Sequence, residues 1–284
     1  MDNIRSVLFL GTNNIRRWAY NPKYYTVAIL AGLWIHFIVG SLSSFTNSVG
    51  VKATPWVFPF LFSQRYTPML LMIGIILIFS DAPFINLSTP YEIIRSGKRN
   101  WVKAQISYVV FTSFIWVFFL FIVSILCLLP NLDFSWEWGK VYRTLAQTNA
   151  AAEFSVNLAV SYDIILGFTP IQATIYSFVL VFLEMTFLGM LIFTFSAVFS
   201  RSIALFTSFI LAFMPAGLAL SGMPAFYYFT PTAWSDLILF VPSNTLDYPP
   251  LSYCVLFLSI SIIVLIIIST IFAPKKETKV LQPV

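Results

Sequence analysis

Long apolar runs constrain this chain more than any other feature. A helix needs about 20 mostly apolar residues to cross roughly 30 Å of hydrocarbon. Because 59% of the 284 residues are hydrophobic and 10% are charged, we predict an all-α, polytopic membrane protein with six transmembrane helices. The six stretches that qualify are Tyr24–Phe45, Tyr66–Phe84, Ala104–Leu129, Ile171–Phe199, Ile203–Leu220 and Leu251–Phe272.

The basic residues predict the orientation of these spans, since Lys and Arg near helix ends are retained on the cytoplasmic side. With the N-terminus inside, the inner segments hold 12 basic residues and the outer segments hold 4. Both termini, including a tail at 274–284, are therefore predicted to be cytoplasmic. The charge is divided among short segments, so no nucleic-acid partner is implied. The inner set is Arg5, Arg16, Arg17, Lys23, Arg95, Lys98, Arg99, Lys103, Arg201, Lys275, Lys276 and Lys279, and the outer set is Lys52, Arg65, Lys140 and Arg143.

The segment before the first span, residues 1–23, mixes apolar and basic side chains. This composition favours a helix that lies in the plane of the lipid headgroups, and Asn21 and Pro22 are expected to end it. A disordered basic leader is the alternative, because Gly11 and Thr12 interrupt the pattern. The apolar run Val7–Leu10 is too short for the core of a secretory signal, so we expect the first span to direct insertion.

A polar island at 81–103 lies between the second and third stretches. Its sequence Thr89-Pro90-Tyr91-Glu92 fits a capping box in which the Thr89 and Glu92 side chains each accept from the other's backbone N–H. Gly97 is typical of a helix end. We therefore predict a helix of about two turns from Thr89 to Gly97, which is too short to be stable without a surface to pack on.

Two interpretations of this island remain open. In the first, the basic residues Arg95, Lys98 and Arg99 serve topology alone, as in an ordinary cytoplasmic loop. A capped, self-terminating helix is more than topology requires, however, and Tyr91 and Ile94 give it an apolar edge. We therefore favour a docking role for the helix.

With these features, the chain resembles a permease subunit of the ATP-binding-cassette exporters of the second type. The resemblance rests on the whole architecture and locally on the run Phe84–Trp101. It implies that two six-span subunits pair and that each presents a coupling helix to a separate ATPase subunit. It also implies an interfacial elbow helix at 1–23, a six-helix domain at 24–273 and a partly re-entrant outer segment at 221–250. Carried onto this sequence, the coupling residues are Thr89, Pro90, Tyr91, Glu92, Ile94, Arg95, Gly97, Lys98 and Arg99.

The sequence holds no phosphate-binding loop of its own. The pairs Gly97-Lys98 and Gly139-Lys140 lack the preceding glycine loop and the following Ser or Thr, and no hydrophilic stretch is long enough for a nucleotide-binding domain. We therefore expect no catalysis in this chain and no cofactor bound to it. The resemblance implies ATP and Mg²⁺ on the partner ATPase, a bacterial plasma (inner) membrane location, and export of a peptide, lipid or amphipathic drug-like substrate.

A proton- or ion-coupled secondary transporter is the alternative function. Glu184 lies in the middle of the fourth stretch, and a carboxyl group within a membrane span is a functional candidate by default. His36 in the first stretch is a candidate partner for it. The single histidine excludes H-E-x-x-H, and no G-x-S-x-G is present, so hydrolase chemistry is not supported.

Some features carry no evident chemistry. Cys127 and Cys254 fall near the predicted outer helix ends, where a disulfide is one option and two buried thiols are the preferred one. The outer segment 130–170 is predicted to be a small helical cap. The substrate, and whether the second permease is identical or homologous, are beyond the sequence.

Overall fold

The structure is a computed structural model, and it describes residues 2–85, 89–221, 224–241 and 248–275. Within these ranges the chain is helical and has no strand, which confirms the predicted all-α class. Single turns of 3₁₀ helix lie at Arg17–Tyr20, Leu237–Phe240 and Ala273–Lys275, with a longer one at Pro224–Phe229. The α-helices are α1 (Asp2–Arg16), α2 (Pro22–Val49), α3 (Phe58–Phe62), α4 (Thr67–Phe79), α5 (Thr89–Ser96), α6 (Lys98–Leu126), α7 (Gly139–Gln147), α8 (Ala150–Glu153), α9 (Tyr162–Gly167), α10 (Pro170–Val198), α11 (Arg201–Ser221) and α12 (Leu251–Phe272).

Five helices of the described residues are long and apolar enough to cross a membrane, namely α2, α6, α10, α11 and α12. The predicted second span, Tyr66–Phe84, does not form one such helix. Its helix α4 has 13 residues and ends at Phe79, before a turn at 80–83. At about 1.5 Å per residue it is roughly 20 Å long, which is short of the hydrocarbon thickness.

A longer segment, 53–81, nevertheless runs the length of the bundle. The backbone N–H of Ala53 donates to the Asn131 carbonyl at 3.0 Å, beside the C-terminal ends of α2 and α6. At its other end, Asp81 pairs with Lys23 in the first turn of α2. We call these two ends of the bundle the α7 end and the α5 end, after the short helices nearest to them. This segment thus contains two helices of unequal length, α3 and α4, where the sequence predicts one.

Proline explains why the segment 53–81 is divided into two helices. Pro59 lies in the first turn of α3 and Pro68 in the first turn of α4, positions where the missing N–H costs no helical hydrogen bond. All five residues of α3 are buried, packed mainly against α10. Irregular backbone within a membrane domain is tolerated where protein surrounds it, and this burial meets that condition.

The helix α10 is the centre of the bundle and packs against α3, α4, α6, α11 and α12. Most of its residues are buried, whereas the other long helices each keep an exposed apolar face. The close approach of α4 and α6 to α10 depends on Gly189, where a Cβ atom would lie 2.5 Å from the Phe79 ring and 2.7 Å from Val109. Only two residues, Phe199 and Ser200, separate α10 from α11, and α11 continues as a helix through Pro215.

The chain after α11 inserts into the bundle. Within the described part of this segment, 224–241, the Trp234 side chain is fully buried and donates to the Tyr227 carbonyl at 2.7 Å. The Thr232 hydroxyl donates to the carbonyl of Leu211, which lies halfway along α11. The segment predicted at 221–250 therefore reaches the middle of the helices, although residues 222–223 and 242–247 lie outside the described ranges.

The segment predicted as a small helical cap, 130–170, contains α7, α8 and α9 at the α7 end. The Tyr142 hydroxyl donates to the Thr54 carbonyl at 2.8 Å, and the Trp138 indole donates to the Phe168 carbonyl at 2.9 Å. Burial raises the pKa of the Tyr142 phenol well above its usual range, so the hydroxyl stays a donor. These bonds fix the cap to the chain before α3 and to the start of α10.

The helix α1 packs along α6. At Gly11 a Cβ atom would lie 3.3 Å from the Ala104 carbonyl, so a glycine allows the two backbones to approach. Asn14 is buried between the helices and donates to Gln105 at 2.8 Å. Glycine, which weakens helix propensity, is therefore explained here by packing.

Candidate functional site

The polar island holds the helix α5, which runs from Thr89 to Ser96. The Gly97 N–H donates to the Ile93 carbonyl at 2.8 Å, and Gly97 adopts a φ of +81°, which side chains with a Cβ rarely adopt. The next helix, α6, begins at once with Lys98. The predicted capping box at Thr89 stays a prediction, because residues 86–88 lie outside the described ranges.

The predicted coupling residues fall on two sides of α5. Tyr91 is 76% exposed and Ile94 is 83% exposed, and Arg95 is exposed beside them. Lys98 and Arg99 extend this surface into the first turn of α6. We call these five residues the α5 patch. Large apolar side chains at this exposure, rimmed by cations, are typical of a docking surface for a partner with an acidic groove.

The other side of α5 faces the protein. Thr89 is buried, Ile93 packs against the core, and the Glu92 carboxylate lies 3.1 Å from the Arg17 guanidinium. Arg17 also donates to Asn14 at 3.4 Å, and Asn14 in turn binds Gln105 of α6. Glu92 is therefore an internal anchor, whereas the resemblance had grouped it with the docking residues. The sequence alone did not indicate Arg17 as its partner.

A second ion network lies beside the first. The Asp81 carboxylate pairs with Lys23 at the start of α2 and, at 3.2 Å, with Arg201 at the start of α11. Asp81 therefore connects the ends of three long segments: α2, the segment 53–81, and α11. The basic residues Arg17, Lys23 and Arg201, which the sequence assigned to topology alone, also bind carboxylates here.

Glu184 lies at the midpoint of α10 and is fully buried. Its carboxyl group faces the Ser235 hydroxyl and the backbone N–H groups of Trp234 and Ser235. Among the described residues no donor meets hydrogen-bond geometry to either carboxyl oxygen, and the Ser235 hydroxyl is equally without a partner. The inserted segment 224–241 thus brings polar groups to a buried acid.

His36 is not a partner of Glu184, and the hypothesis that paired them was wrong. His36 is exposed on α2, and its ring packs over Gly40 of the same helix. Glu184 points instead toward the inserted segment. Periodicity could not distinguish these outcomes, because either face of α2 is apolar enough to meet α10.

A second acid, Asp236, lies near Glu184 in the inserted segment, outside the spanning helices. Burial raises the pKa of Asp236 to about 6, although the N–H of Ile238 and the Ser63 hydroxyl partly oppose the rise. Asp236 accepts from the Ile238 N–H at 3.1 Å and so starts the 3₁₀ turn Leu237–Phe240. Ser63, from the chain between α3 and α4, thus meets the inserted segment here.

Other candidate chemistry is limited. Cys127 and Cys254 are free thiols, Cys254 buried and Cys127 half-buried. No three side chains that commonly bind metals gather anywhere in the described ranges.

Comparison of the chain with protein-family models, curated proteins and solved structures finds no match. Function must therefore be inferred from the residues themselves.

Proposed function

We propose that this chain is the permease subunit of an ATP-driven exporter of the second ATP-binding-cassette type, with α5 as its coupling helix. The observation that carries the proposal is the α5 patch: Tyr91 and Ile94 are almost fully exposed on a helix of only two turns. Such a helix gains little from its own hydrogen bonds. A groove on an ATPase subunit would cover these side chains, and the burial of their apolar surface would stabilise the docked complex.

The inner side of α5 supports a mechanical role. Through Glu92 and Arg17 the helix is joined to α1, and through Asn14 to α6. A force on α5 therefore reaches two elements of the bundle by direct contacts. In the proposed cycle, ATP binding draws two ATPase subunits together, and each moves the α5 of its permease so that a path between two permease subunits opens outward. Coupling of this kind requires two discrete arrangements that the nucleotide biases.

The proposal includes six membrane passages. The segment 53–81 would be the second, because it runs from the α7 end to the α5 end with its irregular part buried. Six passages place both termini on one side, and the excess of basic residues assigns that side to the cytoplasm. The protein would then be a multi-pass plasma-membrane subunit with ATP and Mg²⁺ on its partner, a second permease beside it, and a peptide, lipid or amphipathic drug-like cargo.

Site-specific crosslinking tests the docking role. A photoreactive amino acid at Tyr91 or Ile94, in native membranes, is expected to capture a protein that contains a phosphate-binding loop, identified by mass spectrometry. The matched control places the same group at Tyr25, an exposed tyrosine on α2, outside the α5 patch. Capture of lipid alone at Tyr91 and Ile94, or of the same proteins at all three positions, would contradict the coupling-helix assignment.

Glu92→Gln separates docking from transmission. The substitution keeps the size of the side chain and the α5 patch but removes the ion pair with Arg17. We expect unchanged crosslinking from Ile94 and a loss of transport-linked ATP hydrolysis. Loss of crosslinking would instead place Glu92 in the docking surface.

An ion-coupled secondary transporter remains a second candidate, and the burial of Glu184 at the midpoint of α10 favours it. In this case the purified chain in liposomes would transport under an ion gradient without ATP, and Glu184→Gln would abolish that transport. Transport that requires an ATPase subunit and ATP would exclude this candidate.

A further inference from the structure

A cavity of about 160 Å³ opens at the α5 end, among α1, the start of α2, the turn after α4, and α6. It is smaller than the 300–1,000 Å³ typical of pockets for drug-sized ligands. Its size therefore fits a small polar group or the head of a larger molecule.

The walls of this cavity carry both signs of charge. Arg17 and Asp81 line it together. Glu92 and Asn14 hold the Arg17 guanidinium, and Lys23 and Arg201 hold the Asp81 carboxylate. A ligand that carries a phosphate and an ammonium group would find an opposite charge for each. Each Asp81 oxygen has lone pairs for a further donor, and guanidinium is well suited to phosphate.

Neutral donors complete the polar lining. The Tyr24 and Tyr108 hydroxyls lie 3.1 Å apart in the cavity wall, and the Trp18 indole donates to Tyr108 at 3.0 Å. The Tyr24 ring stacks on Trp18 with centroids 5.0 Å apart, which fixes its position. Two phenol groups share one hydrogen bond here, so one hydroxyl hydrogen is available for another acceptor.

An apolar path starts where the cavity opens. Tyr25, Ile29 and Leu33 follow at intervals of four residues on one face of α2, and all three are exposed. Tyr20, almost wholly exposed, lies at the edge of the cavity. Since α2 is long and apolar enough to cross a membrane, its first turn falls near headgroup depth. Acyl chains can then run along this face while the headgroup enters the cavity.

We propose that the cavity binds the phosphoethanolamine headgroup of a membrane phospholipid. Arg17 contacts the phosphate, Asp81 accepts from the primary ammonium, and the Tyr24–Tyr108 pair donates to a remaining oxygen. A choline headgroup offers no N–H to Asp81, so phosphatidylethanolamine is bound in preference to phosphatidylcholine. A lipid at this site joins α1, α2 and the turn after α4, and this inference holds whether or not an ATPase docks on α5.

Lipid retention tests the site directly. The full-length chain is purified in mild detergent, mixed with equal amounts of phosphatidylethanolamine and phosphatidylcholine of the same acyl length, and examined by native mass spectrometry. Because a hydrogen bond to a charged group contributes about 1.5–3 kcal/mol, we expect at least about a tenfold preference for phosphatidylethanolamine. Equal retention of the two lipids overturns the proposal.

Asp81→Asn provides the decisive variant. In this variant the ratio of retained phosphatidylethanolamine to phosphatidylcholine should fall close to one. Asp163→Asn, which changes an exposed acid on α9, should leave the tenfold preference intact. If Asp81→Asn does not fold, Tyr24→Phe replaces it: this variant retains the ring stack on Trp18 and should lower retention of both lipids several-fold, whereas Tyr25→Phe should not. Unchanged retention in Tyr24→Phe and Asp81→Asn would show that the lipid binds elsewhere.

A soluble arm separates the headgroup from the lipid. Glycerophosphoethanolamine, which lacks acyl chains, is added at the same concentration as short-chain phosphatidylethanolamine, and the thermal unfolding midpoint is measured. The lipid should raise the midpoint and the soluble compound should not. Equal shifts would overturn the lipid assignment, because the path along α2 would then contribute nothing. In a second equal mixture, of phosphatidylethanolamine with phosphatidylglycerol, preferential retention of phosphatidylglycerol would overturn the role of Asp81.

Discussion

The two acidic regions of this bundle differ in what surrounds them. At the α5 end, Asp81 and Glu92 meet Lys23, Arg201 and Arg17. In the middle, the buried Glu184 and the inserted Asp236 have no cation against them among the described residues, and the Glu184 carboxyl group faces neutral donors, the Ser235 hydroxyl and the N–H groups of Trp234 and Ser235. The first region joins helix ends at a partly exposed surface, whereas the second keeps polar groups where they weaken the fold.

This difference separates stability from function. Charges paired at a surface contribute little but set which helix ends meet. A buried polar group without a partner costs free energy, so its retention calls for a reason other than stability. Two irregular segments also meet beside the cap, since Ser63 precedes α4, Asp236 belongs to the insertion, and Gln64 binds Ala159 of the cap.

The largest effect on stability is expected from Gly189→Ala, which tests whether the centre of the bundle is loosely packed. A Cβ atom there would lie 2.5 Å from the Phe79 ring, and Phe79 is fully buried. Overpacking of this kind typically costs about 1–3 kcal/mol and occasionally more, so we expect a drop near the upper end in thermal or denaturant unfolding in detergent. Gly217→Ala is the control, because its Cβ atom meets nothing within 4 Å. Equal stability of the two variants would mean that the centre can relax.

A pair of methionine substitutions compares two buried polar side chains, one within hydrogen-bond geometry of its partner and one not. Glu184→Met removes a fully buried acid that no cation faces among the described residues, and because the cost of burying that acid is then removed, we expect the unfolding free energy to rise by about 1–3 kcal/mol. Gln105→Met leaves the buried Asn14 amide without its 2.8 Å partner, so we expect a fall of about 1–3 kcal/mol. A destabilised Glu184→Met would contradict the view that this acid is kept for function, and transport assays of the stable variant complete the test.

The sequence predicted the elements that depend on local patterns. Five of the six apolar stretches form long helices close to their predicted bounds, and the short helix ending before Gly97 follows from the turn preference of glycine. The second stretch was wrong as a single span. The predicted stretch begins at Tyr66, and hydropathy does not register that Pro68 starts a helix of only 13 residues there or that the apolar residues 58–62, before Ser63, Gln64 and Arg65, form a separate helix with Pro59 in its first turn.

The contacts of the site depend on tertiary packing, which periodicity does not specify. The pair Arg17–Glu92 joins residues 75 positions apart, and Asp81–Arg201 joins residues 120 apart. Their charges were visible in the sequence, but their partners were not. Likewise Glu184 was identified as an acid in mid-helix, whereas His36 was assigned to it without evidence of which face of α2 it occupies.

The pH dependence of stability provides a smaller effect in the central region. Burial raises the pKa of Asp236 from 3.8 to about 6. Between these two pH values the folded chain binds more protons than the unfolded chain. The contribution of Asp236 to stability is therefore fully present below about pH 4 and is lost as pH rises through about 6. After allowance for partial exposure, we expect a change of roughly 1–2 kcal/mol. Asp236→Asn should remove this slope, measured as unfolding midpoints from pH 4 to 7, whereas an equal slope in both proteins would assign it to another group.

The smallest effect is expected from the paired region, with Asp81→Asn. The Asp81 side chain is about half exposed, and surface ion pairs contribute about 0–1 kcal/mol each. We therefore expect a loss of at most about 1 kcal/mol at low salt, and less at high salt because screening weakens exposed pairs. Asp163→Asn is the matched control without a cation partner among the described residues. A salt-independent loss of several kcal/mol would show that Asp81 behaves as a buried charge, and the contrast between the α5 end and the centre would then lie in hydrogen bonding alone.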